Sequence, residues 1–323
     1  MKMICLLAFA ICAGKSSLAQ NDLSKLFPDS SLQPRHVPVI ATFKSSRLLL
    51  SNSTETVAKH DLVFYVDHRF GDIAGTNGGV KTLFGFDYAT DINIAFDYGI
   101  SNRLMIGVGR CKGSPVVTTS TLTNKTLYIN SLTQLWDASL KYRLLEQTED
   151  NHMPLSVTLF GNAVITTMAA SKDTFADAYF GTWTDRLSFI GQVIIARKFN
   201  DQLSLEISPT FVRRNYVIYG DQNNLFALGL GGRYRYNAHQ SVVLDYFIPM
   251  RTAASTQYFA SQGVHFYNPW GLGWEIETGG HVFQILFTNA TAIYENQFIP
   301  SNTTSWAKGQ FRWGFNLSRT FAL

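Results

Sequence analysis

The chain is short of charge, cysteine and proline, and beyond its first nineteen residues it has no long apolar run. Only 15% of its 323 residues are charged, and the net charge of +4 is scattered along the chain. This excludes the clustered basic stripe that a nucleic-acid partner requires. Cysteine occurs at positions 5, 12 and 111 only. The stretch MKMICLLAFAICAGKSSLA, residues 1–19, has the basic start, apolar middle and small-residue end of a secretory signal. Once it is removed Cys111 stands alone, and an intramolecular disulfide is excluded although the compartment would allow one. No later apolar stretch approaches the roughly 18 to 20 residues of a membrane helix. A chain of this kind enters a membrane as a closed barrel or not at all, because in hydrocarbon the backbone must satisfy itself.

What is present is alternation. In DINIAFDYGISNRLMIGVGR, residues 91–110, Ile92, Ile94, Phe96, Tyr98 and Ile100 share one face of an extended strand, and Asn93, Ala95, Asp97 and Gly99 share the other. The same two-residue period recurs in LVFYVDHRF (62–70), LWDASLKYRLL (135–145), LSLEISPTF (203–211), NLFALGLGGRYRY (224–236), QSVVLDYFIPM (240–250) and AKGQFRWGFNLSRTF (307–321). With weaker repeats between them, this predicts about 12 strands, within a range of about 10 to 14.

The links between strands alternate in length. Short turns fall near residues 101–103, 147–154, 200–202, 237–240 and 279–280, and longer polar stretches lie between them. Short periplasmic turns and long outer loops are the signature of an up-and-down antiparallel transmembrane β-barrel, whereas a soluble sandwich has no reason to sort its loops by parity. The expected organisation is a signal over 1–19, an N-terminal segment over 20–60 and a barrel over 61–323. The middle segment reads as an extra strand, a periplasmic extension or a segment entering the lumen. The expected address is the outer membrane of a Gram-negative bacterium, with its lipid and the barrel-assembly machinery as partners.

Parity assigns the faces. Ile92, Ile94, Phe96, Leu140, Leu205, Leu244, Phe311 and Trp313 are expected toward lipid. The opposite parity puts Asp67, Asp97, Asp137, Glu206, Asp245, Glu275 and Glu277 in the lumen with Arg69, Lys141, Arg143, Arg233, Arg235, Lys308 and Arg312. Acids balance bases, as they must where an unpaired charge is costly to desolvate. The balanced set is expected to brace the wall as ion pairs or to line a water-filled path.

HRFG (68–71), LFGFD (83–87), YGISNRLMIGVGR (98–110), KYRLLEQ (141–147), NPWGLGWEIETGGHVFQILFTN (268–289) and WGFNLSRTF (313–321) together resemble a family of outer-membrane β-barrel proteins of Bacteroidetes, a domain family of unknown function. The resemblance runs from about residue 38 to the C-terminus and implies a barrel and an outer-membrane address, without a substrate or a catalytic residue. The expected role is a passive channel for an unspecified small solute or a structural and binding platform. The alternatives are an outer-membrane hydrolase with a Ser/His site on the wall, or a soluble secreted sandwich. His68, His265 and His281 have no paired ligand spacing, and the glycines of LGLGGR lack both the spacing and the following helix of a phosphate loop, so neither metal nor cofactor is expected.

Overall fold

Alternating side chains let a sheet be oily on one side and polar on the other, and here the sheet closes on itself. The computed structural model describes residues 36–323; the signal expected over 1–19 lies outside the described residues. Twelve antiparallel strands form the wall: β1 (Asp61–Asp72), β2 (Ala89–Ser101), β3 (Leu104–Cys111), β6 (Leu135–Leu145), β7 (Ser156–Thr166), β8 (Leu187–Lys198), β9 (Leu203–Arg214), β10 (Asn224–Arg235), β11 (Gln240–Met250), β12 (Trp270–Thr278), β13 (His281–Thr288) and β14 (Arg312–Ala322). β14 pairs back onto β1, Val66 opposite Leu317 and Asp67 opposite Asn316, which removes the open edges of the sheet. A separate hairpin, β4 (Val116–Thr119) and β5 (Thr126–Asn130), stands in the loop after β3. Two short helices, α1 (Ala253–Ser261) and α2 (Glu295–Ser301), also lie in loops. Among the described residues no helix is long and apolar enough to cross a membrane.

The wall's two faces follow the alternation residue by residue. On β2, Phe96 is 43% exposed on the outside while Asp97, its neighbour, is 1% exposed on the inside. Ile92, Ile94, Leu140, Leu205 and Leu244 are likewise exposed on the outward face, and no second sheet covers them among the described residues. The continuous belt they form is what acyl chains solvate, and it rules out the soluble sandwich. Arg110 breaks the pattern on β3 and shows how a basic residue is tolerated there. Its guanidinium turns back to the carbonyls of Cys111 (2.7 Å) and Leu135 (3.1 Å) at the outer end of the wall.

The short turns gather at the end that also holds the start of β1 and the finish of β14; this is the periplasmic end. The last strand starts later than the alternation from residue 307 suggests. Trp306–Lys308 form a 3₁₀ turn, and Trp306 stacks on both Phe311 (ring centroids 4.5 Å apart) and Trp270 (4.0 Å). Residues 38–60 add no strand to the wall.

Candidate functional site

A barrel of about eight strands is filled by its own side chains, and one of roughly 16 to 18 leaves an aqueous channel. Twelve strands enclose a lumen that the wall alone cannot fill, and two inserted segments fill it. The first comes from the periplasmic end. Residues 46–53 turn back on themselves, with the Leu48 amide donating to the Ser51 carbonyl (2.9 Å) and the Ser53 amide to the Ser46 carbonyl (3.0 Å). Asp245, inward on β11, caps this hairpin: its carboxylate accepts from the backbone amides of Leu49 (2.8 Å) and Leu50 (2.7 Å) and from the Ser51 hydroxyl (2.8 Å). Small residues on the wall admit the leucines. A Cβ at Gly231 would meet the Leu48 side chain at 2.7 Å, and one at Gly273 would meet Leu49 at 2.6 Å. These strand glycines serve close approach.

The second segment descends from the outer end, between β13 and β14. Every residue of α2 is buried. The preceding Ile293 amide donates to Asp91 (3.0 Å), and the Tyr294 hydroxyl donates to Asp137 and lies 3.1 Å from the Asn93 side-chain oxygen. Phe298 packs edge-on against Phe247 of β11 (5.3 Å). The hairpin and α2 meet in the middle of the lumen, where Asn52 reaches the Glu295 carboxylate.

The filled lumen has two unlike halves. Toward β8–β13, Leu48, Leu49 and Leu50 join Val212, Leu225, Val243, Phe247, Leu286 and Phe298 in an apolar core. Toward β1, β2, β6 and β14 the contacts are polar, and a cavity of about 80 Å³ remains, bordered by Arg47, Tyr65, Asp67, Arg69, Asp97, Tyr294 and Glu295. It has room for a few waters, and on the periplasmic side it adjoins a cavity of about 330 Å³ with which it shares Ser45, Tyr65, Val282 and Ser318.

The inward charges expected from parity therefore mostly hold the inserted chain rather than one another. Arg47, on the hairpin, reaches Asp97 (3.0 Å) and Asp67 (3.7 Å). Lys141 donates to the hairpin carbonyls of Ser46 (2.6 Å) and Ser53 (3.2 Å). Arg69 donates to the Leu49 carbonyl (3.2 Å) and to Asn316 (2.8 Å), and Glu206 lies 3.4 Å from the Ser51 hydroxyl. Arg143 pairs with Glu55 (3.1 Å) at the periplasmic mouth. Among the described residues, wall-to-wall pairing is confined to Arg233 with Glu275 (2.7 Å) and Glu277, and Arg312 with Asp72. Arg235 pairs with no carboxylate among the described residues.

Lys308 is a correction: it lies in the turn before β14, exposed, with its ammonium over the Tyr267 ring at 5.7 Å, and does not face the lumen. Phe311 likewise precedes the strand and packs on Trp306, while Trp313 sits outward among Phe86 and Phe287. Parity passed over Arg47, Asp91, Tyr294 and Glu295, which lie on loops or at a strand end. The apolar run Leu48–Leu50 and the aliphatic content of AIYENQFIP, unusual for an exposed loop, are the signals that single them out.

Because Glu275 is 1% exposed, Arg233→Ala strands a buried carboxylate that keeps only Gln284 (2.9 Å) as a side-chain partner. The expected cost is about 3 kcal/mol, read as an earlier urea midpoint for loss of the folded gel mobility.

Loops cover part of the outer mouth, and toward β1, β2 and β14 a recess of about 750 Å³ remains, lined by Asp72, Thr90, Ser114, Thr304 and Arg312. Ile129, Ile218, Phe259 and Val264 make a small core of their own, and Asp221 binds Arg214 (2.8 Å) and Arg251. Arg251 in turn donates to the Pro300 carbonyl at the end of α2, so this cap and the inserted helix are tied together. Burial alone would raise the Asp221 carboxyl, but the two guanidiniums hold it below its ordinary value. A carboxyl with a lowered folded pKa stabilises fully above its unfolded value and loses that contribution as pH falls through the folded one. Proteolysis within residues 215–223 is therefore expected to accelerate as pH falls below roughly 4, and Asp221→Asn is expected to show the fast rate already at pH 7.

A closed wall with a lipid-facing belt and a lumen filled from both ends defines an outer-membrane β-barrel protein. Over residues 43–321 the chain matches the family described as a membrane bound beta barrel domain (DUF5777), and it belongs to that family. No curated protein sequence matches it. Solved structures similar to it include the KdgM porin (6% identity, 81% of this chain and 99% of that one, TM-score 0.44) and the COG4313 outer membrane channel from Pseudomonas putida F1 (12%, 83% and 98%, TM-score 0.47). An active-site mutant of outer membrane phospholipase A from Escherichia coli is also similar (10%, 82% and 91%, TM-score 0.39). A likeness this distant assigns neither ligand nor reaction.

Proposed function

We propose that this protein is a normally closed outer-membrane channel, in which the N-terminal hairpin is the stopper and small solutes pass only when it withdraws. The observation that carries this is the hold on residues 46–53. It consists of hydrogen bonds and ion pairs to Asp245, Lys141, Arg69, Asp97 and Asp67, on a segment that belongs to no strand of the wall. The polar holds can be exchanged for water at modest cost, whereas the exposure of Leu48–Leu50 and their apolar partners on withdrawal keeps the hairpin in place at rest. In planar bilayers the native chain is expected to give no steady current; a steady open-pore current from it would overturn the proposal.

A second reading, a binding platform, draws on the outer cap having a core of its own. It predicts that the barrel stays silent even when the hairpin is removed. The hydrolase reading has less support. On the wall, His68 stacks between Phe70 and Phe315 and His281 beside Phe283, and neither is hydrogen-bonded to a serine among the described residues.

A further inference from the structure

The loop joining β1 to β2 on the outer side, residues 73–88, crosses the rim: Lys81 and Thr82 line a recess at the outer mouth with Asp72, Thr90 and Arg312, while Phe86 turns onto the outside of the wall. Two glycines allow it. A side chain at Gly85, whose φ is +91, would collide with the Gly71 carbonyl oxygen, and one at Gly71 would press on Gly85 and Tyr88 at 3.1 Å. Phe86 is thereby laid on the outward face of the barrel, its ring 5.2 Å from Phe70 and 5.6 Å from Trp313. Both of those rings belong to the outer aromatic border of the lipid-facing belt.

The turn before Phe86 has an unusual backbone. Within Val80–Gly85, Leu83 and Phe84 hold φ of 45 and 53, a left-handed conformation that bulky side chains rarely adopt. It sends their side chains away from the protein: Val80 is 81% exposed and Leu83 60%, with Phe84 and Phe86 about half exposed beside them. A loop tip in water gains nothing by displaying four adjacent apolar side chains in a disfavoured backbone. A loop tip level with the aromatic border of a bilayer does gain, because such rings and aliphatic groups settle at the boundary between headgroups and acyl chains. Lys81, in the same turn, is exposed on the recess side and hydrogen-bonded to the Thr76 carbonyl (2.9 Å).

We propose that residues 80–86 form a lipid-inserting flap that extends the outer girdle sideways into the outer leaflet. The occupant is fixed by continuity: Phe86 is already in contact with side chains whose outward face is the lipid-facing face. The inference is independent of whether the lumen opens.

The test uses the chain from Gln20 with Cys111→Ser, refolded into dilauroyl phosphatidylcholine vesicles. A nitroxide is attached at Leu83→Cys or Phe84→Cys, at lipid-facing Ile94→Cys, or at Tyr219→Cys in the outer cap. Relaxation by oxygen, which concentrates in lipid, is compared with relaxation by a water-soluble nickel chelate. Labels at 83 and 84 are expected to favour oxygen as the Ile94 label does, several-fold over the Tyr219 label. A nickel-dominated response at both positions would overturn the proposal, as would protection from both reagents, which would indicate a second protein copy on the flap. Each variant is read only from the fraction with native gel mobility, and using two adjacent positions keeps one misfolding substitution from deciding the outcome.

Discussion

Deleting residues 44–54 is expected to turn a silent barrel into a conducting one. The deletion removes Leu48–Leu50 from the core against Val243 and Phe247, and it removes the partners of Asp245, Lys141 and Asp97 together. A dry lumen would make those stranded charges ruinous, but the vacated space admits water, which solvates them at little cost. The remaining segment, α2, stays tied to the cap through Arg251 and to the wall through Asp91 and Asp137. It narrows the pore from the outer side without sealing the polar half. Stepwise current in planar bilayers and faster uptake of small hydrophilic dyes by vesicles are the expected readouts. Persistent silence in a correctly folded variant would favour the platform.

Phe96→Arg is expected to prevent stable insertion. Phe96 lies near the middle of β2, opposite Phe64 and Val108, its ring 5.1 Å from that of Phe64 on the outer face. An arginine at the bilayer midplane of a barrel costs about 2 to 4 kcal/mol, and this position is too far from the rim for the escape that Arg110 uses. Folding yield into vesicles should collapse for Phe96→Arg while Phe96→Leu folds normally. Equal yields would mean that acyl chains do not contact this face.

The wall was readable because alternation reports which side of a strand a residue takes, and every inward acid from Asp67 to Glu275 follows it. The partners were not readable, because alternation is silent on what stands across the lumen. Asp245 meets Leu49 and Leu50 nearly two hundred positions away, and no local pattern encodes that meeting. The balance of acids and bases suggested mutual bracing, yet Lys141 turned out to bind backbone carbonyls of the hairpin, which are invisible in a charge tally. Lys308 departs from the alternation that GQF continues, because the stack of Trp306 on Phe311 and Trp270 holds the chain in a turn there. The segment 38–60 offered a greasy triplet that suited a strand equally well; only closure of the wall by β14 on β1 leaves the lumen as its place.

Ser51→Cys in a Cys111→Ser background places a thiol beside Asp245, at the tip of the hairpin. With the protein in vesicles, its rate of modification by a charged, membrane-impermeant thiol reagent is measured from each side. A tip enclosed between the β11 wall and α2 should react far more slowly than a cysteine at exposed Lys59, from either side. Reaction at the Lys59 rate would mean that water, not polypeptide, occupies the centre of the barrel.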